Sequence, residues 1–385
     1  MQTNKTKVLI LHNYMTPYRF PLFEELSKNK DIDLTVFFMS KGAKNRKWKK
    51  LPRINFKYKV LPKIELSYFG KDFLAYIINY TFPFEFINGD YDVVVSAGWL
   101  DFASQAAFLL CKLTGKKFII WSESTINEPS LIRTLTLPFV KFVVRNSDAC
   151  IAIGTRSKEY LQLLGAKPEK IFIAFSTVDV DFFKKASRIS VVERDRMRKE
   201  IGIRTSKVIL YVGQFIERKG VIYLIKAFEK LKDEFSDVSL VLLGYGPLEA
   251  GFRSYIKTKD IRDVFFVGHK EVSDMPKMYA MTDVFVLPSL EETWGLVVNE
   301  AMASGLPIIA TSKVGSSFDL IEQGRNGYVV RPQNYKEIYL ALDKIIGNNQ
   351  LATQYSYSSK KVIQHFTPKL ASESFINAIN SSFGK

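Results

Sequence analysis

Short apolar runs alternate with amphipathic stretches along the whole chain. In the first half the runs begin at Lys7 (KVLILH), Leu34 (LTVFFM), Tyr91 (YDVVVSAG), Lys116 (KKFIIW), Asp148 (DACIAIG) and Lys170 (KIFIAF). They are rich in Val, Ile and Phe, are bounded by turn or polar residues, and do not alternate strictly. Strands buried on both faces of a parallel sheet read this way. Helical patterns such as PLFEELSKN lie between them. The second half repeats the scheme, with strands from Lys207 (KVILYVG), Ser239 (SLVLLG), Asp263 (DVFFVG), Asp283 (DVFVLPS) and Leu306 (LPIIAT). Helical segments are predicted at 219–235, 247–258, 274–281 and 295–304. Alternating strand and helix predicts an α/β protein with parallel doubly wound sheets.

With 385 residues, two domains are expected. The pattern divides the chain into a first domain over 1–183 and a second over 207–365. The charged stretch 184–206 reads as a linker and surface helix. Residues 366–385, with apolar spacing at Leu370, Phe375, Ile376 and Ile379, read as a final helix able to pack back on the first domain.

Composition narrows the chemistry. Cys111 and Cys150 form no CxxC pair, and His12, His269 and His365 are scattered. Neither a disulfide framework nor a zinc site is suggested, and a reducing compartment fits. The N-terminal apolar run is too short for a signal peptide and reads as a buried strand. No apolar run approaches the ~18 residues of a spanning helix. The nearest, Phe73 to Phe84, is broken by Asn79 and Pro83. The formal charge of +16 is uneven: residues 1–200 hold 33 Lys+Arg against 20 Asp+Glu, the remainder 22 against 19. Such a field attracts polyanions, whether nucleic acid, anionic membrane or phosphate-bearing substrates.

Three segments of the second half bear on function. In YVGQFIERKG a buried strand ends at Gly213, and a short loop delivers Arg218 and Lys219 to a helix start. Two cations beside a helix N-terminus suit a diphosphate, although a solvated surface pair reads the same way. In LLGYGPLE a strand ends at Gly244 and Pro247 opens a helix. The most informative stretch runs from Asp283 to Thr311. Its strand leads into a loop with Glu291 and Glu292, then a helix near Gly295 that carries Glu300. Backbone N–H groups around Thr293, Trp294, Gly295 and Leu296 would suit a phosphate, and a carboxylate accepts hydrogen bonds from sugar hydroxyls.

These residues, in this order, resemble glycosyltransferase family 4, a large group of retaining enzymes with the GT-B fold. The resemblance covers about Lys207 to Val330. It includes the strand–G–loop–KG element, the LxGxGP turn, the MPxxYxxxDVFVLPS run, the pair Glu292 and Glu300 eight apart, and IEQGRNGYVV. It implies two Rossmann-like domains facing a cleft. It also implies Glu292 on the donor sugar, Glu300 on the ribose, Arg218 and Lys219 on the diphosphate, and the base against Gly268, His269 and Lys270. Departures are visible. Gln214 stands where many members have Arg, and the stretch IIWSESTINE has Ser122 and Glu123 but no His. FSTVD, Phe175 to Asp179, replaces NGVD.

The first half lacks the Gly-rich turn of a dinucleotide fold. Tyr18 and Arg19, at its first helix mouth, would meet an acceptor phosphate or pack the loop. Glu123 and His12 are its candidate cleft residues, with Glu123 paired to Glu292 as the catalytic expectation. Residues 41–63 hold ten Lys/Arg and no acid, interleaved with Trp48, Phe56 and Tyr58. They suit an anionic membrane or a lipid-diphosphate acceptor, and equally a solvated loop. The expectation is a retaining hexosyltransferase without metal or cofactor. It would move sugar from a UDP- or GDP-sugar to a saccharide or lipid-linked acceptor in surface polysaccharide or glycolipid synthesis, at the inner face of the cytoplasmic membrane. The rivals are a nucleotide-sugar epimerase on the same fold and a basic nucleic-acid-binding protein, which no RNA or DNA module supports.

Overall fold

The computed structural model describes residues 5–42, 53–67, 75–126 and 131–384. Among the described residues of the first half there are nine strands: β1 Thr6–Tyr14, β2 Ile32–Ser40, β3 Lys57–Val60, β4 Ile64–Ser67, β5 Ala75–Ile78, β6 Val93–Ala97, β7 Lys117–Ser122, β8 Ala149–Ala152 and β9 Ile171–Ile173. Six follow: β10 Lys207–Val212, β11 Val238–Leu243, β12 Val264–Gly268, β13 Val284–Leu287, β14 Ile308–Thr311 and β15 Gly327–Val330. Each apolar run read above as a strand forms one. Both sheets are parallel, in the orders β3-β2-β1-β6-β7-β8-β9 and β12-β11-β10-β13-β14-β15. β4 and β5 form a separate antiparallel pair. The second order is the 3-2-1-4-5-6 arrangement of a doubly wound dinucleotide-type sheet, whose ligands lie beyond the strand ends where the order reverses.

The chain folds as two compact units, 1–177 with 368–385, and 178–367. The boundary therefore lies at 177/178 and not at 183, and 184–206 belongs to the second unit, with the expected helix at Val191–Ile201. Helix Val180–Ala186 begins at Asp179, whose carboxylate accepts from Phe182 N at 2.9 Å, and packs on helices Met275–Ala280 and Leu296–Ala303. Helix Val191–Ile201 is tied down by charge. Arg194 and Arg198 reach the two oxygens of Asp283 at 2.6 and 2.8 Å, and that carboxylate also accepts from Val208 N.

The last helix, Pro368–Ser382, packs on helix Phe20–Ser27 and on β7, β8 and β9 of the first unit. Its buried side is Ala371, Phe375, Ala378 and Ile379, while Leu370 is 40% exposed. Phe375 meets Trp121 edge to face at 4.9 Å. Cys111 and Cys150 are buried and unbridged, their thiols pushed up to about 12 by desolvation, as inert core residues.

Candidate functional site

The second unit gathers its charged candidates at the sheet's reversal point. β10 and β13 are neighbours, and the loops leaving their carboxyl ends are bonded together: Leu290 N donates to Arg218 O at 2.7 Å and Glu291 N to the same oxygen at 3.3 Å. Gly220 permits this approach. It lies at φ +61°, and a Cβ there would sit 2.2 Å from the Pro288 carbonyl.

Lys219 Nζ forms an ion pair with Glu292, and the two side chains are only 12% and 15% exposed. Glu292 is also held by its backbone, its N–H donating to Lys313 O at 3.1 Å and its carbonyl accepting from Gly315 N at 2.9 Å. Arg218 Nη1 reaches Glu291 O at 3.4 Å. Gly213 closes β10, with its N–H on Leu243 O, and Tyr211, wholly buried, donates its hydroxyl to Gln214 O at 2.9 Å.

Gly295 caps helix Leu296–Ala303 at φ +92°, a backbone angle that favours glycine. Helix N–H groups of the first turn lack intrahelical partners, so this start suits an anion. Thr293 and Leu296 are half-buried beside it. Trp294 is 5% exposed and donates from Nε1 to Asn299 at 2.9 Å, which makes it a packing residue of the loop.

Glu300 takes a separate position on the same helix. Its Oε2 accepts from the Tyr279 hydroxyl at 2.7 Å. Burial pushes the Glu300 carboxyl up to about 7, and the Tyr279 hydrogen bond partly opposes that rise. Tyr279 is buried on helix Met275–Ala280, between Phe183 and Phe285. Its place in the MPxxYxxxD run was legible, but its role was not. Gly268 ends β12, followed by exposed His269, which lies edge-on to Tyr245 at 5.9 Å, and half-buried Lys270.

In the first unit, Arg19 is 4% exposed. It pairs with Glu123, which is 44% exposed, donates from Nη1 to Ser176 at 3.2 Å, and stacks 4.8 Å from the Trp121 ring and 5.4 Å from Tyr18. Two of its nitrogens are thus committed within the unit. His12 is 6% exposed among Phe23, Phe38 and Trp121, with Nδ1 2.9 Å from Tyr14 O. Burial, then the Arg19 charge, lower its pKa to about 4, so it is neutral near pH 7.

Of residues 41–63, positions 43–52, with Trp48, Lys47, Lys49 and Lys50, lie outside the described residues. Among the rest, Phe56 is core, and Lys57, Lys59 and Lys63 pair with Asp33, Glu85 and Glu65. Among the described residues there is no cluster of metal-ligating side chains, and no helix is long and apolar enough to cross a membrane.

Two parallel doubly wound units define the GT-B plan. The crystal structure of Anabaena Alr3699/HepE in complex with UDP matches it with a TM-score of 0.77 at 16% identity, over 98% of this chain and all of that one. Residues 193–362 match the family model of glycosyl transferases group 1. Spore coat protein SA of Bacillus subtilis is 36% identical over 160 residues, 37% of this chain and 41% of that protein. The putative colanic acid biosynthesis glycosyltransferase WcaL of Salmonella typhimurium is 27% identical over 263 residues, 66% and 61% of the two chains. The chain spans 41 to 65% of the length of the first curated relatives it matches.

Proposed function

We propose that the protein is a retaining glycosyltransferase that takes a hexose from a nucleoside-diphosphate sugar. The observation that carries this reading is the Lys219–Glu292 pair at the strand-order reversal, beside the Gly295 helix start. With donor bound, the Lys219 ammonium would turn from Glu292 to the diphosphate, joined by Arg218 and the helix N–H groups. That places fixed positive charge where the leaving group develops negative charge. The released Glu292 carboxylate would accept hydrogen bonds from the sugar hydroxyls, and Glu300 from the ribose. The UDP in the Anabaena neighbour favours a uridine donor over guanosine.

The first unit would read a saccharide or lipid-linked acceptor, with Glu123 as its contributing carboxylate. Relatives such as WcaL support a place in surface polysaccharide or glycolipid synthesis, on the inner face of the cell membrane. No step requires a metal ion or cofactor.

A thermal-shift screen of nucleotide sugars tests the donor. A ligand at a hundred times its Kd should stabilise the fold by about 2.7 kcal/mol. If no nucleoside diphosphate or its sugar raises the melting temperature of the wild type, the donor reading is wrong.

A further inference from the structure

Two neighbouring helices of the first unit, Phe102–Thr114 and Leu131–Arg145, turn large apolar side chains to water. On the second, Leu135, Phe139 and Phe142 are 78%, 37% and 56% exposed, and Pro138 is exposed between them. Positions 135, 138, 139 and 142 share the spacing of a single helical face. The other side of the helix, Val140, Val143 and Val144, is already buried in the core. This helix is therefore apolar on two sides, and its own unit satisfies one of them.

The first helix adds Leu109 and Leu113, one turn apart and 58% and 73% exposed. Phe108 meets Phe142 at 5.8 Å, so the helices touch at the patch. Single exposed leucines are ordinary, but five large apolar side chains on two touching helices call for an occupant.

Charge identifies the occupant. Neither helix contains an Asp or Glu. Lys141 and Arg145 line a shallow groove with Pro138 and Phe142, and Lys112 lies 6.0 Å from the Phe108 ring, paired with Asp148 at 3.1 Å. A second copy of this chain would bring like charges together.

We propose that this helix pair is a docking surface for an anionic lipid bilayer. The leucines and rings enter the acyl boundary while the flanking cations meet headgroup phosphates, as interfacial helices do. The inference deepens the membrane-face reading above and rests on it for location only. It moves attachment from residues 41–63 to the helices Phe102–Thr114 and Leu131–Arg145.

The test is co-sedimentation with vesicles of equal parts phosphatidylglycerol and phosphatidylcholine, and of phosphatidylcholine alone. The wild type should sediment with the first and far less with the second. Each surface cation contributes about 1 kcal/mol, or roughly fivefold, so Lys141→Gln with Arg145→Gln should weaken binding by about 25-fold. Leu135→Glu with Phe139→Glu should release the protein. All four positions lie outside the core, and circular dichroism spectra and thermal unfolding like those of the wild type would show that each variant is folded. Replacing Lys47, Lys49, Lys50 and Arg53 with Gln should leave the protein on the vesicles.

Wild-type sedimentation by both helix variants would overturn the proposal. So would release by the 47–53 variant alone, or a vesicle-free dimer that Leu135→Glu with Phe139→Glu dissolves into monomers. A wild type that sediments but binds no nucleotide sugar would sink the transferase reading and leave this surface standing.

Discussion

Arg19 and Glu123 in the first unit form a pair comparable with Lys219 and Glu292 in the second, although Glu292 follows β13, beside the first strand of its sheet, and Glu123 follows β7, one strand further out. In each unit the cation follows the first strand of the sheet and the carboxylate follows a strand across the reversal point. The surroundings differ. Arg19 is a planar fork stacked on Trp121, which Phe375 of the closing helix backs from another side, and its second arm holds Ser176 just after β9. One guanidinium thereby fixes three separated pieces of backbone. Lys219 joins only two loops, through an ammonium on a flexible stem that can exchange partners. The first pair is held from several sides and the second is not, so under the proposed function similar charges serve as a brace in one unit and as a ligand site in the other.

The sharpest way to break this comparison is to remove the second pair. Glu292→Ala should lower turnover by about 10²–10³-fold, the scale of losing one interaction made to the developing charge. Lys219→Ala should weaken nucleoside-diphosphate binding by roughly 10–100-fold, the value of a charged hydrogen bond, and leave the bare nucleoside unaffected. Calorimetric titration with both ligands reads this directly. Equal losses for the two would make Lys219 a brace like its counterpart.

Next in size is the acid response of the first unit. His12 is held neutral down to about pH 4 against an ordinary value of 6.5. A base with a depressed folded pKa lends stability above its unfolded pKa and loses it as pH falls. The window is about 6.5 to 4, and the full loss is about 3 kcal/mol at 1.36 kcal/mol per unit. Urea unfolding followed from pH 7 to 4 should show this slope, and His12→Asn should flatten it. An unchanged slope would mean that His12 takes up its proton while folded.

Glu300 behaves with the opposite sign. Its folded value is raised to about 7, so ionising it costs the native state stability as pH rises through 7. Under the proposed function the ionised carboxylate is the stronger acceptor for the ribose hydroxyls. Donor affinity should therefore fall as pH drops through 7, and Glu300→Gln should remove that dependence. Tyr279→Phe deletes the hydrogen bond that favours the carboxylate, so the midpoint should move upward and KM for the donor rise about tenfold. A profile that stays at the wild-type midpoint would reduce Tyr279 to core packing.

The sheets were legible because doubly buried parallel strands read as continuous apolar runs, whatever their partners. β3 was missed because KYKV is exposed and alternates with lysine at an edge, and β15 because GYVV opens on glycine and is only partly buried at the other sheet's edge. The start of the second unit was obscured for a related reason. Residues 191–201 look solvated by composition, yet Asp283, across 89 residues of sequence, anchors Arg194, and Arg198 beside it. Glu292, Lys219 and Glu300 were legible through ordered motifs. Their partners were not: the Lys313–Gly315 backbone under Glu292 and the Tyr279 hydroxyl on Glu300 come from tertiary contact alone. The Arg19 cluster needed three strand ends and the C-terminal helix together, which no local pattern encodes.

The smallest effect tests the first pair. Arg19→Met keeps most of the side-chain volume against Trp121 but removes the fork that holds Glu123 and Ser176. Glu123 is 44% exposed, so water can take over its solvation, and the lost ion pair counts for little. The Ser176 hydrogen bond and the cation over Trp121 remain to be lost, which puts the cost at about 1 kcal/mol. Arg19→Lys should recover only part of it, since an ammonium cannot bond Glu123 and Ser176 while lying flat on the ring. Nucleoside-diphosphate affinity should be unchanged in both variants. Urea unfolding and calorimetric titration on the same preparations separate the two roles. A drop in diphosphate affinity with stability intact would make Arg19 a ligand-binding cation, and the contrast between a fixed brace and a movable site would fail.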